Sequence, residues 1–214
     1  MRSEDRQKIT DILKLYLVYE EPMLKIPPEE FIPAVIRGGV TCIQLRSKEL
    51  NGAQNYRSAL SLRSMLEGTG VPLIINDRAD IALCSGADGV HVGAKDIPPS
   101  AVRGLNSDYI IGYSCNTPED VQTALSAGVD YIGTGPAFPT DTKKDLRELR
   151  GPSGIGELIA SCPVPAIAIG GITAANCGEL CGLNLKGVAV SSSICASEDP
   201  ERAAAELREM VEKL

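Results

Sequence analysis

GADGVHVGAKD at residues 86–96 and AGVDYIGTGP at residues 127–136 are the stretches that decide the fold. In each, a glycine closing a helical segment (Gly86, Gly128) precedes an aspartate (Asp88, Asp130) that leads into a short apolar run. Polar or glycine-rich residues follow the run directly. Leu185-Lys186-Gly187-Val188 holds the equivalent place near the C-terminus. Quasi-repeats of this kind are what a chain of similar βα units produces.

Outward from these stretches, apolar runs recur at residues 15–19, 41–45, 72–75, 89–92, 109–113, 131–133, 166–169 and 187–190. Amphipathic stretches at 53–66, 118–127, 174–181 and 200–213 carry apolar residues at helical spacing. Thr117 before Pro118 reads as a helix N-cap and first turn, and Thr173 and Ser197 are further cap candidates. Strand alternating with helix predicts a parallel sheet with helical crossovers. Eight runs predict that the sheet closes, where about five or six would leave a doubly wound open sheet. The expected fold is α/β, a single-domain (β/α)8 TIM barrel over residues 1–214. No low-complexity linker marks a boundary within it.

Composition agrees. There is no Trp, there are only two Phe, and the apolar residues are mostly aliphatic. That suits a parallel sheet buried on both faces. The net charge of −7 argues against a nucleic-acid or anionic-membrane partner, while leaving room for a local basic pocket. The seven cysteines are scattered, with no CxxC pair. Cys177 and Cys181 stand at i, i+4, with no His or second pair to complete a zinc set. Reduced, mostly buried thiols are expected. The N-terminal MRSEDRQKITDILK is charged and lacks the apolar centre of a leader, so a cytoplasmic protein is expected, one that could form a homo-oligomer.

In such a barrel the chemistry sits at the C-terminal ends of the strands. Polar clusters stand at those places: Gln44-Leu45-Arg46-Ser47-Lys48, Asn76-Asp77-Arg78, His91 through Asp96, Ser114, residues 133–143, Gly170-Gly171-Ile172 and Ser191-Ser192-Ser193. The Gly-Gly pair lets backbone approach an anion, and the three serines add hydroxyls and amides beside it. The less favoured alternative is that the pair makes only a tight turn and the serines only cap a helix. Arg46, Lys48 and Lys143 can neutralise a second, more highly charged anion. Asp77 and Asp96 end neighbouring strands and could reach one hard cation, for which magnesium, with one or two carboxylates plus phosphate oxygens, is the natural candidate. His91 is the lone histidine, so any Ser-His-Asp or Cys-His nucleophile would have to run through it. The site is therefore expected to work by charge neutralisation and positioning, which suits departure of diphosphate.

The ordered strings QLRSK (44–48), NDRADIAL (76–83), GADGVHVGAKD (86–96), IGYS (111–114), DYIGTGPAFPTDTKKD (130–145), AIGGI (168–172) and GVAVSSSI (187–194) together resemble the thiamine phosphate synthase family. The resemblance runs from about Leu15 to Pro200. It implies a transferase that joins 4-amino-2-methyl-5-(diphosphomethyl)pyrimidine to 4-methyl-5-(2-phosphoethyl)thiazole, or its 2-carboxy form, by a dissociative substitution. It places the pyrimidine diphosphate on Gln44, Leu45, Arg46, Ser47, Lys48, Asn76, Ser114 and Lys143, with Arg46, Lys48, Ser114 and Lys143 acting in catalysis. It gives magnesium to Asp77 and Asp96, and the thiazole phosphate to Thr140, Asp141, Thr142, Gly171, Ser191 and Ser192.

Two positions depart from the family's pattern. The first run ends Val18-Tyr19-Glu20 where Thr-Asp is common, a change expected to alter the mouth without touching the ligand-binding residues. Ala94 stands where Gln is frequent, beside Asp96. Two other readings compete with a synthase. A thiazole tautomerase of the same family tends to lose the metal aspartates and to carry a His after the sixth strand; here Asp77 and Asp96 are present and residues 133–143 contain no His. A non-catalytic barrel sensing thiamine precursors would not need the cationic set.

Overall fold

The computed structural model describes residues 3–140 and 149–214. Its eight parallel strands are β1 (Leu15–Tyr19), β2 (Cys42–Leu45), β3 (Leu73–Asn76), β4 (Gly89–Val92), β5 (Ile110–Ser114), β6 (Tyr131–Thr134), β7 (Ala166–Ile169) and β8 (Gly187–Val190). They pair in sequence order and close into a barrel. Closure comes from β1 pairing with β8, where Tyr16 lies opposite Ala189 and Leu17 opposite Val190. The eight-strand expectation holds, with boundaries moved by a residue at β2, β3, β5 and β6.

Strand alternation sorts the side chains into two populations. Tyr16, Val18, Cys42, Ile74, Tyr131, Ile167 and Ala189 form one cluster inside the barrel, joined by Ile9 and Leu13 from the N-terminal segment. The alternate residues, among them Leu17, Ile43, Leu45, Val90, Ile111 and Val188, pack with the surrounding helices. Glycine at Gly112 has a packing cause. A Cβ there would lie 2.2 Å from Tyr131 Cζ and 2.4 Å from His91 Nδ1, so the two rings cross the interior in space that Gly112 vacates.

Local chemistry explains the helix starts. Asn51 and Gln54 form a reciprocal cap on the helix Gly52–Leu66, and Thr117 and Asp120 do the same for Pro118–Ala127. Ser197 is not the cap expected of it: Asp199 accepts from Arg202 N at 3.0 Å and starts the helix Pro200–Val211. Ser197 instead accepts from Asp199 N. Thr173 caps nothing with its side chain; its N–H donates to Asn176 Oδ1 at 2.8 Å. The amphipathic stretch 174–181 yields only the short 3-10 turn Cys177–Leu180. Cys177 is therefore buried and Cys181 exposed, rather than sharing one helix face. All seven cysteines are free thiols.

Candidate active site

The C-terminal ends of β1, β2 and β8 are neighbours because the barrel closes there. Arg46 follows β2, and its backbone N–H donates to Tyr19 O at 3.0 Å, which fixes where its side chain starts. Its guanidinium pairs with Glu20, Nη1 to Oε2 at 2.5 Å. The other carboxylate oxygen of Glu20 accepts from Ser191 Oγ at 3.0 Å. The departure from the family pattern at the end of β1 thus does touch two candidate ligand residues, contrary to the sequence expectation. The reason is reach: Glu has one methylene more than Asp, and β1 stands between β2 and β8. Leu45 faces the other way, 1% exposed among the residues under the helices, so it can meet a ligand only through its backbone.

Between the ends of β3 and β4 two carboxylates meet. Asp77 adopts a left-handed φ of 62°, which short polar residues tolerate better than others. The turn is held by Asp77 N donating to His91 O at 2.9 Å and Arg78 N to Asn76 O at 2.7 Å. Burial first, and then the charge of Asp96, push the Asp77 carboxyl up to about 6, while Lys48 and a hydrogen bond from Asn76 pull the other way. Asp96 is held by Gly93, whose N–H donates to its Oδ2 at 2.8 Å. A Cβ on Gly93 would lie 3.3 Å from that oxygen and 3.9 Å from Ser114 Cβ, so Gly93 is the narrow floor between Asp96 and Ser114. Asn76, Asp77, Asp96, Lys48 and Ser114 are thereby brought to one part of the mouth.

Below the mouth a chain of polar groups crosses the interior. Gln44 Nε2 donates to Tyr16 Oη at 2.7 Å, Tyr16 Oη lies 2.7 Å from Tyr131 Oη, and Tyr131 Oη lies 3.1 Å from His91 Nδ1. His91 Nε2 then meets Ser114 Oγ at 3.0 Å. Burial raises the pKa of both tyrosines, so both remain phenols. Tyr16 already accepts from Gln44, and its own proton, fully buried, is satisfied by Tyr131; leaving it unpaired would cost roughly 1–3 kcal/mol. That order runs on to Tyr131 donating to His91 Nδ1, and His91 Nε2–H donating to Ser114 Oγ. In that order the Ser114 proton is left for an acceptor other than His91.

Gly171 takes φ 67°, and a Cβ on it would sit 2.6 Å from Pro139 O and 2.7 Å from Phe138 O. Its glycine is therefore required by the chain itself, because the segment after β6 lies on the turn after β7. Thr140 belongs to that segment and is half-buried. Ser193 ties the β8 end to the β7 end by donating to Ile172 O. Ser191 and Ser192 begin the short helix Ser192–Cys195. Asp141, Thr142 and Lys143 lie outside the described residues.

A family model described as thiamine monophosphate synthase matches residues 15–194. The chain belongs to that family. It is 41% identical to the thiamine-phosphate synthase of Albidiferax ferrireducens over 184 residues, covering 86% of this chain and 84% of the relative. It is 40% identical to the thiamine-phosphate synthase of Desulfitobacterium hafniense strain Y51 over 200 residues, covering 92% and 96%. Among solved structures, the thiamine phosphate pyrophosphorylase from Pyrococcus furiosus superimposes with a TM-score of 0.85 at 32% identity, covering 95% of this chain and 98% of that one. The resemblance carried by the ordered strings is borne out, as are the barrel and the transferase class.

Three residues that the structure brings to the candidate site carry no role in the sequence reading: Glu20, Tyr16 and Tyr131. The two tyrosines sit inside apolar runs and read as core. One signal was available, since in each strand they alternate with residues that face the helices, and so share the face of Gln44, His91 and Ser114.

Proposed function

We propose that this chain is a working thiamine-phosphate synthase that uses magnesium at Asp77 and Asp96. The observation that carries the reading is the approach of these two carboxylates beside Lys48, with the Asp77 carboxyl raised by burial and by its like-charged neighbour. Such a pair fits a divalent cation that accepts one or two carboxylates and takes its remaining ligands from water and diphosphate oxygens. Bound there, magnesium would supply neutralisation of the departing diphosphate.

The chain's own residues have the remaining tasks. Arg46, Lys48 and Lys143 offset the diphosphate charge, with Gln44, Ser47, Asn76 and Ser114 placing hydrogen bonds around it and Leu45 contributing backbone alone. The bond between the pyrimidine methylene and the diphosphate oxygen breaks, and its electron pair leaves with the diphosphate. The thiazole nitrogen then donates its lone pair to the methylene, forming the carbon–nitrogen bond and leaving the positive charge on the ring. Ser114 presents its proton to the leaving oxygens, because His91 occupies its acceptor side. Thr140, Asp141, Thr142, Gly171, Ser191 and Ser192 hold the thiazole phosphate. Neither step requires a strong base, in keeping with a histidine engaged at both nitrogens.

Free thiols throughout support a cytoplasmic location, and no helix among the described residues is long and apolar enough to cross a membrane. The test is product formation: both precursors with magnesium should yield thiamine phosphate and diphosphate in equal amounts. No product from the complete mixture would overturn the reading.

A further inference from the structure

We propose that Glu20 is a built-in competitor for the two anion sites and couples the binding of one substrate to that of the other. The inference rests on the assignment of Arg46 to the diphosphate and Ser191 to the thiazole phosphate. Glu20 Oε2 takes Arg46 Nη1 at 2.5 Å, and Glu20 Oε1 takes Ser191 Oγ at 3.0 Å. One carboxylate therefore holds a residue from each site, with both its oxygens committed. The topology makes this unique to the end of β1, which alone is flanked by β2 on one side and β8 on the other.

The pair is well shielded, with side-chain exposures of 14% for Arg46 and 15% for Glu20. A diphosphate that takes Arg46 leaves the Glu20 carboxylate beside a second anion and without its cation. In so shielded a place that arrangement is unfavourable, so the carboxylate turns out to water. The exit is adjacent, since Glu21 and Pro22 are exposed. Its departure also releases the Ser191 hydroxyl, which can then donate to a phosphate. A thiazole phosphate that takes Ser191 first starts the same displacement from the other side. The first ligand bears the cost of breaking the pair and the second does not, which is positive coupling between two sites through one two-position element.

A purely structural ion pair predicts the opposite response to mutation. Removing the charge with Glu20→Gln would then loosen Arg46 and weaken anion binding.

The experiment is calorimetric titration of inorganic diphosphate with magnesium, with and without saturating 4-methyl-5-(2-phosphoethyl)thiazole, on the full chain. In the natural protein, the thiazole phosphate should tighten diphosphate binding by about fivefold or more. Glu20→Gln should bind diphosphate more tightly than the natural protein, and its coupling should fall below about twofold. Glu20→Asp, too short to hold both partners, should move in the same direction and serves if the glutamine variant fails to fold. Absence of coupling in the natural protein, weaker or unchanged diphosphate binding in the variants, or coupling that survives them would each overturn the proposal. Coupled binding in a chain that forms no thiamine phosphate would instead sink the synthase reading and leave the role of Glu20 standing.

Discussion

His91 Nε2 lies 3.0 Å from Ser114 Oγ, linking the ends of β4 and β5, while His91 Nδ1 lies 3.1 Å from Tyr131 Oη. With a partner at each ring nitrogen, the histidine works as a spacer that orients Ser114. His91→Asn should therefore lower kcat by about tenfold, whereas Lys48→Ala should lower it on the order of a hundredfold, as loss of a group facing developing charge does. Steady-state rates of the two variants check this; a larger loss from His91→Asn would assign it a proton-transfer role.

Tyr131→Phe removes the hydroxyl that joins Tyr16 to His91. It should destabilise the fold by roughly 1–3 kcal/mol, because the buried Tyr16 proton loses its acceptor. Gly112→Ala should cost more, since its methyl would overlap both the Tyr131 and His91 rings. Denaturant unfolding of both variants gives the order.

The carboxylate pair makes a prediction about pH. An ordinary aspartate titrates near ~3.9 in the unfolded chain, whereas Asp77 in the metal-free fold is pushed up to about 6. The stabilisation from its bound proton is complete below the unfolded value and is lost as pH rises through about 6. Metal-free protein should thus lose stability between about pH 4 and about pH 6 through this group, and Asp77→Asn should flatten that slope. Thermal melts without metal at several pH values decide it. Asn is the proper replacement, because Ala at a φ of 62° would add backbone strain of about 1–2 kcal/mol. With magnesium present, the same variant should need far more of the ion for turnover, and an unchanged requirement would remove Asp77 from the metal site.

Gly171 cannot test the thiazole phosphate site cleanly. Any side chain there meets the carbonyls of Phe138 and Pro139 before it meets a ligand. Ser192→Ala should instead raise KM for the thiazole phosphate several-fold and leave KM for the pyrimidine diphosphate unchanged. Equal changes in both would argue against a separate site.

The barrel was legible because its signals are local: apolar runs with polar ends, and caps such as Thr117. The stretch 174–181 misled because its helical spacing is interrupted by Gly178 and Gly182, and the chain turns there after a single 3-10 turn. The strand-end polar residues were legible as a class, since the fold sends them to one mouth. Glu20 with Ser191 was not. They are 171 positions apart, and only closure of β1 onto β8 brings them together. Ser197 failed as a cap for a smaller reason: Asp199, two residues on, offers a better-placed acceptor.

In the reaction proposed for this chain, catalysis stabilises a departing diphosphate and a positive carbon, with no strong base. Single-turnover rates with the natural pyrimidine diphosphate and with its trifluoromethyl analogue test this most directly. The electron-withdrawing group should slow bond breaking by orders of magnitude, each ~1.4 kcal/mol of added barrier costing tenfold. Binding of the analogue should change little, because its diphosphate contacts are the same. Comparable single-turnover rates for the two would contradict the claim.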